Sequence, residues 1–267
     1  MRKFLGYIFT PIHYLFFGLL LGIFHPIQWI CLKLGGYSAH KRSVDILNGL
    51  LILTYPLAGA TVRFRNPYRL PADRSIIFVC NHQSMYDIPP LIWFLRKHHA
   101  KFISKIELSK GIPSISFNQR HSGGANIDRK DSKQAIAEII KLTERMRVNT
   151  WSVIIYPEGT RARDGKLKPF AIGGLATLLR EVPGALVVPL AINNSWRLFR
   201  YGGFPLSFGE RCSWTVLEPI EPADKSAVDI LHAAEAAIHI SLGQVPFTPS
   251  PIPPQEPLKQ DEHPPVI

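Results

Sequence analysis

The stretch "SIIFVCNHQSMYDIPP", residues 75–90, joins an apolar run to a polar loop and then to a helix start marked by two prolines. Ser75 to Cys80, rich in β-branched and aromatic residues and bounded by polar ones, reads as a buried strand. Pro89 and Pro90 suit a first helical turn, whose N–H groups have no intrahelical partner, so the spacing predicts a helix beginning near Asp87. His82 then lies just past a strand end. In an α/β sheet that is where side chains project into the ligand crevice.

Working outward, the same alternation recurs. "TVRFR", "KFIS", "ANID", "WSVIIY", "ALVVPLAI" and "CSWTVLE" read as further strands. Helices are predicted at Pro89 to Lys97, Asp131 to Arg147 and Phe170 to Leu179, with "KSAVDILHAAEAAIHISL" as a closing helix. Strands alternating with helices indicate an α/β domain whose central sheet is covered by helices on both faces, with its sites at the loops beyond the strand ends.

The N-terminal region has a different character. From Phe4 to Leu32 the chain carries no Asp, Glu, Lys or Arg. Thr10 and Pro11 suit an N-cap and first helical residue, and Pro26 is predicted to kink or end that helix. A second apolar run, Ile46 to Val62, contains Gly49 and Pro56. Two short, interrupted segments fit a membrane-associated helical hairpin dipping into one leaflet at least as well as two spans. No small-x-small cleavage pattern follows, which argues against a removed signal. Lys3, Lys33, Lys41 and Arg42 flank the first segment on both sides, a placement suited to anionic headgroups. The reading therefore divides the chain into a membrane-associated segment (1–60), a catalytic domain (61–245) and a Pro-rich tail (246–267) expected to be disordered. Thirty-one Lys and Arg against twenty Asp and Glu give a formal charge of +11, which favours anionic partners. Cys31, Cys80 and Cys212 are far apart and form no CxxC or His/Cys cluster, so neither a disulfide framework nor a zinc site is expected.

An HxxxxD pair by itself has two readings: Asp87 as a helix cap beside a polar loop histidine, or Asp87 as the orienting partner of a His82 general base. The second needs no serine if the nucleophile is an alcohol on the substrate attacking an activated acyl group. Cys80, two residues from His82 on the strand, is the rival nucleophile, although a strand-end cysteine is more often an apolar filler. Two further stretches carry residues suited to a phosphate, although each arginine taken singly reads more readily as a surface charge. "GGANIDR" puts Arg129 at a strand exit, and "YPEGTR" gathers Glu158, Gly159, Thr160 and Arg161 in one turn.

In the order "NHQSMYD", "GGANIDR", "YPEGTR" and "VVPLAI", the chain resembles the glycerolipid acyltransferases of the bacterial 1-acylglycerol-3-phosphate acyltransferase family, from about Val62 to Leu217. The resemblance implies a mixed central sheet, with His82 as general base, Asp87 as its partner, and Arg129, Glu158, Gly159 and Arg161 binding glycerol phosphate. Thr160 and Lys105 are added as substrate-binding candidates. It also implies acyl transfer from acyl-CoA or acyl-acyl carrier protein to the sn-2 hydroxyl of a lysophospholipid, with no metal or bound cofactor. The expected location is a membrane, at the cytoplasmic face of the inner membrane of a bacterium, with membrane lipids and the donor as partners and no nucleic acid. The chain departs from the pattern at Asn126, at Tyr156 and at Ala171, where many members carry a lysine after "KPF"; Lys105, Arg163, Lys166 or Lys168 would have to compensate. The alternatives are another lysolipid acceptor (a lyso-aminolipid or lysophosphatidylcholine), a membrane-bound metallohydrolase using His82, Asp87 and Glu158 as ligands, and a non-enzymatic membrane adaptor.

Overall fold

The computed structural model describes residues 1–245; the Pro-rich tail lies outside the described residues. Seven strands form one sheet: β1 (Thr61–Arg65), β2 (Ile76–Cys80), β3 (Lys101–Lys105), β4 (Ala125–Ile127), β5 (Val153–Ile155), β6 (Leu186–Asn193) and β7 (Arg211–Val216), in the order β1-β7-β6-β2-β5-β3-β4. The sheet is mixed, as the resemblance implied. Strands β6, β2, β5, β3 and β4 run parallel, and the antiparallel pairing of β6 with β7 reverses the β7–β1 edge.

Each predicted strand is present, and the central one explains the arrangement. All five residues of β2 are buried. Ile76, Phe78 and Cys80 face one side of the sheet, while Ile77 and Val79 face the other, the period-two alternation of a strand covered on both faces. On the second side lie α4 (Ser132–Asn149), α5 (Ile172–Glu181) and α6 (Ala227–Ser241), which contribute Leu142, Leu175 and Ile230 to the core. On the first side lie α1 (Arg2–Leu53), whose Phe17, Leu21 and Leu47 join the core, and α2 (Ile88–Phe94). One helix, α3 (Ile115–His121), was not anticipated.

The N-terminal segment corrects the sequence reading in three places. Helix begins at Arg2 rather than at Thr10, whose hydroxyl instead accepts a hydrogen bond from Leu206 N at 2.9 Å. Pro26 lies within helical backbone, and the break comes at Gly36, with φ 63° and ψ −158°. The second helical arm therefore spans residues 37–53 instead of starting at Ile46, and its apolar run ends in a short 3-10 turn, Tyr55–Ala58. The two arms do form a hairpin: His13 on the first reaches Thr54 O, just past the second, at 2.8 Å. A positive φ is open to glycine and strained for other residues, so Gly36 decides where the chain reverses.

Because no heavy atom lies within 4 Å of a Cβ built on Gly36, the cost of a side chain there is purely conformational. Gly36→Ala is expected to lower stability by about 1–2 kcal/mol. Gly18→Ala, in helical backbone and equally open space, should stabilise by a few tenths to about 1 kcal/mol. Denaturant unfolding of both variants in detergent measures the contrast.

Candidate active site

The parallel strands deliver the predicted residues to one edge. His82 follows β2, Tyr156 to Arg161 follow β5, Lys105 ends β3, and Arg129 follows β4 by two residues. A cavity of about 470 Å3 opens there, with His82, Lys105, Arg129, Thr160, Arg161 and Arg163 in its wall. Its remaining lining is largely apolar and comes from α1, α2 and β3, including Phe17, Leu51, Ile92 and Phe102.

Asp87 does not act as a simple cap. It occupies the position before α2 but gives that helix no side-chain bond. Its carboxylate turns back instead. Oδ2 accepts from His82 Nδ1 at 2.8 Å, Gln83 N at 2.7 Å and Ser84 N at 3.0 Å; Oδ1 accepts from Ser195 Oγ at 2.5 Å and Ser84 Oγ at 3.3 Å. Asp87 is wholly buried, whereas the His82 side chain keeps 12% exposure. With Nδ1–H donated to the carboxylate, the neutral ring carries its lone pair on Nε2, which hydrogen-bonds to no described residue. Tyr156 stacks on the imidazole, ring centroids 4.2 Å apart.

Glu158 works on the backbone. One carboxylate oxygen accepts from His82 N at 2.6 Å and the other from Lys168 N at 3.1 Å, tying the β5 turn to the histidine loop. Ala162 N donates to His82 O at 2.7 Å and completes that tie. Gly159 supplies the positive φ, 66°, that the turn needs. Thus Glu158 and Gly159, like the buried Asp87, shape the site without standing in the cavity wall, where His82, Lys105, Arg129, Thr160 and Arg161 converge. Burial pushes the Glu158 carboxyl up to about 7, with the two backbone N–H groups and Lys168 pulling the other way.

Arg129 and Arg161 have no hydrogen bond or ion pair from their guanidinium groups among the described residues. Burial, and to a lesser extent the Arg161 charge, lower the Arg129 pKa, against an opposing pull from Glu107. Of the lysines and arginines proposed to offset Ala171, Lys105 and Arg163 line the cavity, whereas Lys168 donates to Arg161 O at 3.0 Å. Cys80 is fully buried in the core, and burial raises its thiol pKa well above the usual range, an environment for packing rather than for a nucleophile. No three His, Cys, Asp or Glu side chains converge as ligands among the described residues.

Several residues escaped the sequence reading. Asn81 clamps β2 to β6, donating to Ile192 O at 2.8 Å and accepting from Ile192 N at 2.7 Å. Its position straight after a buried strand was the available signal. Ser195 reaches Asp87 from beyond β6, and its local sequence carries no signal for that contact.

A buried carboxylate thus orients a histidine in the wall of a cavity lined by both cations and apolar side chains. Residues 61–193 match the model of the family described as Acyltransferase, and the chain belongs to that family. Among named relatives, the chain is 23% identical over 202 residues to mouse 1-acyl-sn-glycerol-3-phosphate acyltransferase alpha, covering 75% of this chain and 69% of that one. It is 28% identical over 148 residues to the Haemophilus influenzae 1-acyl-sn-glycerol-3-phosphate acyltransferase, covering 55% and 61%. A third, the chloroplastic BAT2 enzyme of Brassica napus, is 30% identical over 131 residues, and the match covers 49% of this chain but 36% of that protein. In fold, the chain is similar to the crystal structure of the Thermotoga maritima 1-acyl-sn-glycerophosphate acyltransferase PlsC, with TM-score 0.74, 23% identity, and 90% and 96% of the two chains covered.

Two outcomes test this geometry. Asp87→Asn keeps the shape but cannot hold the imidazole tautomer or its charged form, so acyl transfer should fall by about 10^3–10^4, while Cys80→Ala should transfer acyl groups at near the parent rate. Glu158 sets a pH dependence. Its folded-state pKa, about 7, lies above the ordinary 4.5, so its contribution to stability is complete below about pH 4.5 and is lost as pH rises through 7. Glu158→Gln should remove that component, leaving a flatter unfolding free energy between pH 4.5 and 7 than the parent protein shows.

Proposed function

We propose that this acyltransferase moves a fatty acyl group from an acyl-CoA or acyl-acyl carrier protein thioester to the sn-2 hydroxyl of 1-acylglycerol 3-phosphate, forming phosphatidic acid. The observation that carries the reading is the free Nε2 of His82, oriented by Asp87 in a cavity wall that also presents Arg129 and Arg161 with no hydrogen bond or ion pair from their guanidinium groups among the described residues. His82 Nε2 takes the hydroxyl proton as the alcohol oxygen bonds to the thioester carbonyl carbon. The resulting tetrahedral oxyanion collapses, the C–S bond breaks, and the imidazolium returns its proton to the departing thiolate. Ester and thiol are the products, and the enzyme ends as it began.

Two guanidinium groups in one wall suit a phosphate, which they meet with planar, bidentate hydrogen bonds. The apolar remainder of the cavity suits an acyl chain. The names of the relatives point to the same acceptor.

The hairpin supplies the membrane contact in this reading. One segment at the N-terminus is long and apolar enough to cross a bilayer by length and composition. Its first arm exposes Phe4, Ile8, Leu15, Leu19, Ile23 and Trp29 to the surroundings, an apolar surface that lipid would cover. Residues 1–60 are accordingly the membrane-associated segment and 61–245 the catalytic domain, working at the cytoplasmic face of a bacterial inner membrane.

The test is turnover on paired acceptors. His82→Ala should abolish transfer in a folded, membrane-bound protein. Arg129→Lys and Arg161→Lys should each raise the KM for lysophosphatidic acid about tenfold while kcat changes less, because lysine keeps the charge but loses the fork. On monoacylglycerol both variants should match the parent. Equal impairment on charged and uncharged acceptors would assign the arginines a structural role, and a parental preference for a zwitterionic lysolipid would replace the acceptor while keeping the chemistry.

A further inference from the structure

The cavity does not end as it begins. Strand β3 carries Lys105 at the active-site edge and Lys101 at its other end, four residues away, or about 13 Å along an extended strand. Between these ends apolar side chains predominate in the wall, Leu47, Leu51, Ile92 and Phe102 among them, with Asn48 and Ser104 as polar exceptions. At the Lys101 end, under the Gly36 bend, the lining turns polar again. Gln28 from the first arm and His40 from the second both line the cavity. Gln28 is 0% exposed and His40 1%, and neither the Gln28 amide atoms nor the His40 ring nitrogens have a hydrogen-bond partner among the described residues. Lys101, 6% exposed, hydrogen-bonds the Tyr37 hydroxyl and lies over the rings of Tyr37 and Trp151 at 4.7 and 4.2 Å. The nearby Asp45 carboxylate is taken by Lys41 at 2.5 Å.

An unmade hydrogen bond in a buried site is destabilising, so such groups normally meet water or a ligand. Both a donor and an acceptor are open here: the Gln28 amide offers N–H and C=O, and neutral imidazole offers one of each. A carboxylate or phosphate, which only accepts, would leave the Gln28 oxygen unpaired. A hydroxyl both donates and accepts. The predominantly apolar passage before the polar end suits a hydroxyl carried on a hydrocarbon chain.

We propose that the far end of the cavity is a subsite for a hydroxyl group carried on the acyl chain, received by Gln28 and His40 beside Lys101. The proposal rests on the acyl-transfer reading above, in which the chain lies in this cavity. It makes the chain a hydroxy-fatty acyl group and makes Gln28 and His40 determinants of donor choice, apart from the residues that perform the transfer.

The experiment compares CoA thioesters of palmitate and of hydroxypalmitates, with the hydroxyl moved along the chain, using the full-length protein in lipid nanodiscs with lysophosphatidic acid as acceptor. For one hydroxyl position, the parent should show a higher kcat/KM than for palmitate. Gln28→Leu and His40→Phe should each lower the ratio of hydroxylated to plain donor about tenfold, with palmitate transfer as the measure of folding in each variant. If one variant fails that folding measure, the other decides the result. A ratio unchanged by the substitution would overturn the subsite and leave the polar groups to water. Transfer from no donor at all in the parent would overturn the acyl-transfer reading, and the subsite with it.

Discussion

One carboxylate with no contact to solvent organises this molecule. Removing an ionised group from water is costly unless its oxygens are hydrogen-bonded, so Asp87 can sit at the sheet's centre only if the surrounding chain supplies donors. The carboxylate's donors come from two places in sequence, the loop after β2 with His82, Gln83 and Ser84 and the segment beyond β6 with Ser195, while β7 sends the Trp214 indole N–H to the Asp87 main-chain carbonyl at 3.3 Å. The contiguous order β7-β6-β2 in the sheet is what lets these donors converge. The same bonds that keep the carboxylate tolerable also aim the histidine.

The turn after β5 braces the opposite side of the loop. Glu158 binds the His82 backbone N–H while Ala162 N holds its carbonyl, so the histidine is fixed at main chain and ring alike. This rigidity follows from neighbouring parallel strands, since β2 and β5 pair directly and their C-terminal turns must lie side by side. Arg161 emerges from that turn and Arg129 from the end of β4, two strands away. The cation pair and His82 are therefore separated in sequence yet set by one sheet edge.

The sheet and its site were legible because their signals are local. β2 declares itself by five consecutive buried residues, and the two prolines after Asp87 mark the helix start. His82, Asp87, Arg129 and Arg161 could be named because each follows a recognisable strand. Ser195 could not, since its role depends on β6 lying beside β2. Glu158 was legible as a site residue but its task was not, because a carboxylate facing two backbone N–H groups looks in sequence like one facing a ligand. The hairpin was misdivided for a different reason. The inner face of the first arm follows a helical spacing, Thr10, His13, Phe17, Leu21, Phe24 and Gln28, but its outer face is apolar as well. With no polar stripe to contrast, the period disappears, and proline becomes a more visible breaker than the glycine that does turn the chain.

That inner face also removes the boundary between the N-terminal hairpin and the sheet domain. Phe17, Leu21, Leu47 and Leu51 belong to the same packed core as Phe78 and Leu190 of the sheet. At its centre His13 Nδ1 donates to Thr54 O at 2.8 Å and its Nε2 accepts from the Tyr86 hydroxyl at 2.6 Å, and Tyr55 donates to the Tyr86 carbonyl at 2.8 Å. Tyr86 is the residue before Asp87. Two residues that stand outside the sheet thus grip the loop that orients His82, through groups fully removed from water and so without a solvent substitute. The hairpin also forms one wall of the cavity in which His82 stands, so displacing it would open the cavity and loosen the loop together. A segment that served only to hold the protein at a surface would need neither contact. Its packing makes it part of the framework that holds His82, and it explains why the apolar arm has two unlike faces: one shaped by the core and the loop, the other largely exposed among the described residues.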